Sequence, residues 1–168
     1  MAEQFDFDLK NYLPVLATAY GEGANLDYTE KLEILSTIFN RAESGSPDFR
    51  AENGKMSEVL EQGYYSYSQK SPKFKEAMSQ KFPDKMSEDS FKEFAQILGG
   101  ILKGKIKKTE SQFFLKPKEV KRFKEGAKEL DINLLEKTYE GKGHIYFKYK
   151  ENPKPKKKGK KKTEQIVP

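Results

Sequence analysis

Two long stretches of apolar residues at helical spacing constrain this chain most, because they predict a mainly helical body. Between Asp27 and Ser44, and again from Ser87 onward, apolar side chains recur every three to four residues, which is the period of one face of an α-helix. The apolar positions are Leu32, Leu35, Ile38, Phe39 and Ala42 in the first stretch and Phe91, Phe94, Ala95, Leu98, Ile101 and Leu102 in the second. We expect both faces to lie in a core. Asp27 can cap the first of these helices.

The rest of the chain predicts shorter elements. We expect further helices over residues 9–20, 57–62, 71–81 and 117–130, and short strands over residues 110–115 and 144–149. Pro14 is tolerable in the first turn of its helix. Two short strands beside a helical body indicate an α+β fold with a small antiparallel ribbon.

Composition excludes several functional classes. The chain has 168 residues, no cysteine and one histidine, so disulfide frameworks, thiol nucleophiles and Cys/His metal sites are excluded. We expect no metal and no cofactor. No apolar run approaches the roughly 20 residues of a membrane span. The acidic segment Met1–Asp8 does not resemble a secretory signal, so cytoplasmic synthesis is expected.

The excess positive charge lies at one end of the chain. Residues 150–168 contain eight lysines and two glutamates, which is the whole net charge of +6, and residues 1–149 contain 24 basic and 24 acidic side chains. We therefore expect one folded domain over residues 1–149 and a disordered polybasic tail over residues 150–168. Such a tail attracts polyanions such as DNA or a wall polymer, and it could also bind virion proteins.

Glu22 is the candidate catalytic residue because it lies between Gly21 and Gly23 where an apolar helix is expected to end. Glycines let another backbone or a ligand approach closely. A carboxylate at the edge of a core loses solvent, which favours the protonated form that a general acid needs. Spacing alone favours an ordinary solvated glutamate at a helix end.

Five segments, in order, resemble the spore-cortex-lytic cell wall hydrolase (SleB-like) family. They are Tyr20–Ala24, Ile38–Ser44, Met56–Ser66, Leu102–Phe114 and Gly143–Phe147. The family has a glycine-glutamate-alanine motif, a helix ending in asparagine-arginine, and a terminal glycine-histidine before an aromatic strand. The resemblance spans residues 13–149 and implies a lysozyme-like fold that cleaves peptidoglycan glycan strands.

The resemblance implies that Glu22 is the general acid and base of a lytic transglycosylase or muramidase. It would protonate the glycosidic oxygen and then deprotonate the C6 hydroxyl of the sugar, which closes a 1,6-anhydro ring. This reaction needs no dedicated second carboxylate, unlike most glycosidases.

The resemblance also implies the residues that contact substrate. One groove wall would be formed by Tyr64, Tyr65, Ser66 and Tyr67, and the other by Thr109, Gln112 and Phe113, with His144 near the cleft. Packing explains the tyrosines as well, and loop capping explains the serines. Surface positions on a strand would equally account for Thr109 and Gln112. For His144, and for the supporting residues Asn40 and Arg41, a structural hydrogen-bonding role is favoured over sugar contact.

The chain departs from the family at three positions. The second family glutamate is replaced by Leu26, and an arginine and a glycine before it are replaced by Ala24 and Asn25. Without a secretory signal, a phage lysin or a lytic protein carried in a virion is the favoured interpretation. Two alternatives stay open: a non-enzymatic virion structural protein with a nucleic-acid-binding tail, and a small nucleic-acid-binding module.

Overall fold

The computed structural model describes residues 8–151, and residues 1–7 and 152–168, with nearly all of the expected tail, lie outside the described residues. The helices are α1 (Leu9–Gly23), α2 (Tyr28–Ser44), α3 (Met56–Gly63), α4 (Tyr65–Ser68), α5 (Pro72–Ser79), α6 (Lys85–Leu102) and α7 (Pro117–Lys124). The strands are β1 (Phe113–Leu115), β2 (Leu135–Glu140) and β3 (Ile145–Tyr149), and short 3₁₀ helices cover Pro47–Phe49 and Ile132–Leu134. The α+β prediction is confirmed. No helix in the described part of the chain is long and apolar enough to span a membrane.

Side-chain caps fix where several helices begin. The Asp27 carboxylate accepts a hydrogen bond from the Glu30 backbone N–H at 3.0 Å, as expected for the start of α2. Asp84 accepts from the Ser87 N–H at 2.8 Å, so α6 begins two residues before the expected Ser87. These caps satisfy backbone donors that a helix terminus leaves without partners.

The described residues divide into two compact units. The first, the helical unit, comprises residues 8–35 and 60–109. Within it α1 contacts α4, α5 and α6, and α1 is buried without interruption from Val15 to Tyr20. The Tyr20 ring contacts the rings of Phe82 and Phe91 edge-on at centroid distances of 5.7 and 6.1 Å. An apolar helix therefore forms the centre of this unit.

The second, the sheet unit, comprises residues 36–59 and 110–151. Its antiparallel sheet has the strand order β1-β3-β2, with Phe113 opposite Phe147 and Leu135 opposite Tyr149. A bulge between Lys137 and Tyr139 interrupts the β2–β3 register. The core of the unit consists of Phe49, Ala51, Val59, Phe113, Val120, Ile132, Leu135 and Phe147.

Several elements differ from the sequence predictions, and the short helix α4 was not expected. Strand β2 was not expected, because only Leu135 in it is buried and charged residues follow. Helix α7 ends at Lys124 rather than near Leu130, since Gly126 adopts a φ of 109° that no α-helix contains. Helix α1 continues to Gly23 rather than ending at Tyr20.

Candidate functional site

Glu22 lies in the last turn of α1, with its side chain half-buried. Its Oε2 atom accepts a hydrogen bond from the backbone N–H of Ser66 at 2.8 Å. Among residues 8–151, Oε1 has no hydrogen-bond partner and the carboxylate forms no ion pair. One oxygen is therefore fixed by the protein, and the other is available to a ligand.

Helix α4 places the Ser66 N–H at the carboxylate. The Ser66 hydroxyl donates to the Thr18 carbonyl oxygen of α1 at 2.9 Å, and the Ser66 carbonyl oxygen accepts from the Ser71 N–H at 3.1 Å. Ser66 is buried. Its hydroxyl serves the contact between α4 and α1, and its backbone orients Glu22.

The two glycines beside Glu22 permit close packing in the last turn of α1. A Cβ atom on Gly21 would lie 2.5 Å from the Ser66 Cβ and 2.9 Å from its Oγ. A Cβ atom on Gly23 would lie 2.6 Å from the Ile34 Cδ1 and 2.7 Å from the Leu26 Cδ1. Helix α1 continues through Gly21 and ends at Gly23, so the expected helix end is found at the second glycine alone, and the expected close approach of other groups is present at both.

The residues expected to form the first groove wall differ in exposure. Tyr64 is 1% exposed and Ser66 is 2% exposed, so their side chains belong to the interior and offer no surface to a glycan. Tyr65 is 72% exposed. Tyr67 is half-buried, with its ring edge-on to Phe74 at 5.6 Å and the Lys70 ammonium 3.8 Å from its centroid. The side chains of Tyr64 and Ser66 therefore do not fit the expected contact with substrate. The side chains of Tyr65 and Tyr67 keep accessible surface.

Thr109 belongs to the helical unit, whereas Gln112 and Phe113 belong to the sheet unit. The Thr109 hydroxyl donates to the buried Glu33 carboxylate at 2.9 Å. Gln112 is buried, and its Oε1 accepts from the Tyr149 N–H at 2.9 Å. Phe113 is a core residue of the sheet unit. Gln112 and Phe113 therefore stabilise the sheet unit and do not present side chains to a ligand.

Asn40 and Arg41 hold the backbone that leads into β1. The Asn40 amide donates to the Ser111 carbonyl oxygen at 2.8 Å, and the Arg41 Nε donates to the Gln112 carbonyl oxygen at 2.6 Å. Arg41 is buried, and its guanidinium lies over the Phe49 and Phe113 rings at 4.8 and 5.1 Å. These are structural contacts.

His144 is buried among aromatic rings of the sheet unit. Its ring meets the Phe114 ring edge-on at 5.0 Å and the Tyr146 ring at 6.0 Å. Its carbonyl oxygen accepts from the Gly141 N–H at 2.9 Å, which closes the turn between β2 and β3. The packing gives this histidine a structural function within the unit.

Two tyrosines have strongly perturbed acidity. Burial raises the pKa of Tyr20 to about 12, with a further contribution from the Glu76 carboxylate, which accepts a hydrogen bond from its hydroxyl at 2.7 Å. Burial also raises the pKa of Tyr149 to about 12, and Asp48, which accepts from the Tyr149 hydroxyl at 3.1 Å, adds to it. Both phenols stay neutral at physiological pH.

No group of three or more histidine or carboxylate side chains within residues 8–151 is arranged to hold a metal ion. The chain has no significant match to a protein-family model, a curated protein or a solved structure. The geometry around Glu22 is therefore the basis for any functional argument.

The sequence did not indicate that Ser66 acts through its backbone. Its N–H meets a carboxylate 44 positions earlier in the chain, and a contact over that separation leaves no local pattern. The tyrosine-rich segment drew attention to α4, but it pointed to side chains rather than to the main chain.

Proposed function

We propose that the protein cleaves the glycan strands of peptidoglycan, with Glu22 as general acid and base. The observation that carries this proposal is the state of the carboxylate: the Ser66 N–H fixes Oε2, and Oε1 has no partner among residues 8–151. A general acid must place one protonated oxygen within hydrogen-bond reach of the leaving group. Oε1 is the oxygen able to carry that proton.

The reaction follows from one carboxyl group. Glu22 donates its proton from Oε1 to the glycosidic oxygen, and the bond from that oxygen to the anomeric carbon breaks. The resulting carboxylate takes the proton of the C6 hydroxyl of the same sugar, whose oxygen then bonds to the anomeric carbon. The products are a shortened strand and a 1,6-anhydro sugar, and Glu22 regains its proton.

Two tyrosines of α4 that flank Ser66 in the sequence support binding of a sugar polymer. Tyr65 is 72% exposed and directly precedes Ser66, the residue that orients the carboxylate. Aromatic faces pack against the apolar faces of sugar rings, and the phenol can hydrogen bond to hydroxyls. We assign Tyr65 and Tyr67 to this contact, within a lysozyme-like catalytic domain delivered to the wall by a phage.

The test is cleavage of purified peptidoglycan by the full chain and by Glu22→Gln. The amide oxygen of glutamine can still accept from the Ser66 N–H, so the fold should persist, but the amide cannot transfer a proton. We expect a loss of at least about 100-fold in the rate of turbidity decrease. Mass spectra should show 1,6-anhydro sugars with the unchanged chain and none with Glu22→Gln.

Glu61→Gln is the matched control, because Glu61 is an exposed glutamate elsewhere in the helical unit. It should cleave at the unchanged rate. Equal cleavage by Glu22→Gln and the unchanged chain would rule out the assignment. Absence of cleavage by a folded unchanged chain would instead favour the virion structural protein.

A further inference from the structure

A cavity of about 860 Å³ in the helical unit has no place in the reaction described above. Its wall comprises Ala24, Asn25 and Leu26, which follow α1, together with residues of α2 and α5 and the first three turns of α6. The volume lies within the range of about 300–1,000 Å³ that is usual for ligand sites. This is enough space for more than one sugar ring.

The first residue of the cavity wall is close to Glu22 in the sequence. Ala24 lies two residues after Glu22, which is less than one turn of about 5.4 Å in a helix. The Ser90 hydroxyl of α6 donates to the Ala24 carbonyl oxygen at 2.6 Å. The wall is therefore tied to the end of the helix that carries Glu22.

The charges on the wall balance each other. Three lysines and three acids line the cavity, and they are Lys31, Lys73, Lys92, Asp84, Asp89 and Glu93. Several form ion pairs, namely Lys31–Glu93 at 2.7 Å, Lys92–Glu88 at 3.6 Å and Lys85–Asp89 at 2.8 Å. A wall without net charge and with paired ions does not attract a phosphorylated ligand, and it suits a neutral polar one.

Two side-chain amides on the wall are available to such a ligand. Asn25 and Gln96 are exposed, and their amides make no hydrogen bond with any other residue among 8–151. Each amide provides both donors and an acceptor, which matches the hydroxyl and acetamido groups of a sugar. Met86, which is 80% exposed, adds an apolar surface for a ring face.

We propose that this cavity is a subsite for an N-acetylhexosamine unit of the glycan strand, bound through the amides of Asn25 and Gln96. The choice of sugar rests on the proposed function, whereas the neutral polar character of the ligand follows from the cavity itself. The site would hold a part of the strand away from the bond that is cleaved.

Isothermal titration of the full-length Glu22→Gln chain with the linear tetramer of N-acetylglucosamine tests the subsite without cleavage. The double change Asn25→Ala and Gln96→Ala, made in the Glu22→Gln background, should weaken binding at least tenfold. The control pair Gln62→Ala and Asn133→Ala removes two exposed amides outside the cavity, and it should leave the affinity unchanged. Circular dichroism confirms that each variant is folded.

Equal affinity in the cavity variant and the control, or no binding of the tetramer to Glu22→Gln, would overturn the subsite. The subsite and the cleavage reaction are tested independently, because cleavage of peptidoglycan by the chain with Glu22 intact is measured in a separate assay. Tetramer binding that depends on Asn25 and Gln96 supports the subsite even if no cleavage is seen.

Discussion

Gly21 determines how closely α4 approaches α1. An added Cβ would lie 2.5 Å from the Ser66 Cβ, and the Ser66 N–H is 2.8 Å from the Glu22 carboxylate. Glycine inside a helix costs about 1 kcal/mol relative to alanine. Because Gly21 has no side chain, Ser66 can come close enough to hydrogen bond to Glu22. The same glycine lowers the stability of the helix.

Gly21→Ala should lower both stability and cleavage. Overpacking costs about 1–3 kcal/mol, which is at least as large as the gain of about 1 kcal/mol in helix propensity, so we expect a smaller free energy of unfolding by urea denaturation. Displacing Ser66 also removes the hydrogen bond that orients Glu22, so turbidity should fall more slowly. Gly100→Ala is the control, since the three atoms nearest to its Cβ would all belong to the Ile106 side chain and not to α4; it should retain cleavage. Unchanged stability and rate in Gly21→Ala would contradict this account of α1.

At the scale of elements, the second half of α2 anchors the entry to β1. The main-chain carbonyls of Ser111 and Gln112 accept from Asn40 and Arg41 at 2.8 and 2.6 Å. Arg41 is buried with its guanidinium over two aromatic rings, so its loss would leave the buried Gln112 carbonyl without this donor. Strand β1 has only three residues, so its position depends on such contacts.

Arg41→Met should destabilise the sheet unit by about 2–3 kcal/mol, because a hydrogen bond from a charged group to a buried acceptor is lost. Thermal and urea unfolding measure this change. Arg122→Met provides the comparison, since Arg122 is exposed and pairs with Glu129 at 3.1 Å; its effect should be within about 1 kcal/mol. The anchoring role would be rejected if the two substitutions cost the same.

Local signals made the helices predictable, and their weakness explains what was missed. The cap at Asp27 and the apolar spacing that follows located α2. Strand β2 carries Glu136 and Lys137, and such charged residues are usual on an edge strand but weaken the alternation that reveals it. The glycines at 141 and 143 gave the one available hairpin signal. The contact between Glu22 and Ser66 depends on tertiary packing, which no local pattern encodes.

At the scale of the whole molecule, burial raises the pKa of a tyrosine in each unit to about 12, namely Tyr20 in the helical unit and Tyr149 in the sheet unit. A raised folded pKa means that folding favours the neutral phenol. This contribution to stability is complete below the ordinary tyrosine pKa of about 10. It is lost as the pH rises through about 12.

We therefore expect the free energy of unfolding to fall steeply between about pH 10 and 12. Ultraviolet titration should show Tyr20 and Tyr149 ionising only as the pH approaches about 12 or on unfolding. Tyr20→Phe should remove one of these late phenols and Tyr149→Phe the other. Simultaneous titration of all phenols in the folded chain would contradict the raised values.

The distribution of charge along the chain predicts where nonspecific polyanion binding resides. Residues 150–168 carry the whole net charge of +6, and affinity for a polyanion falls with salt in proportion to the number of phosphates neutralised. Deleting these residues should abolish salt-dependent retention of duplex DNA, because the remaining residues carry no net charge. Replacing the eight lysines with glutamine at full length is the control for chain length, and it should act like the deletion.

Both variants should still cleave peptidoglycan in low salt, since Glu22 and its Ser66 partner are unchanged. This measurement separates catalysis from electrostatic attraction. DNA retention by the truncated chain would place a binding surface within the folded units and would favour the nucleic-acid-binding alternative.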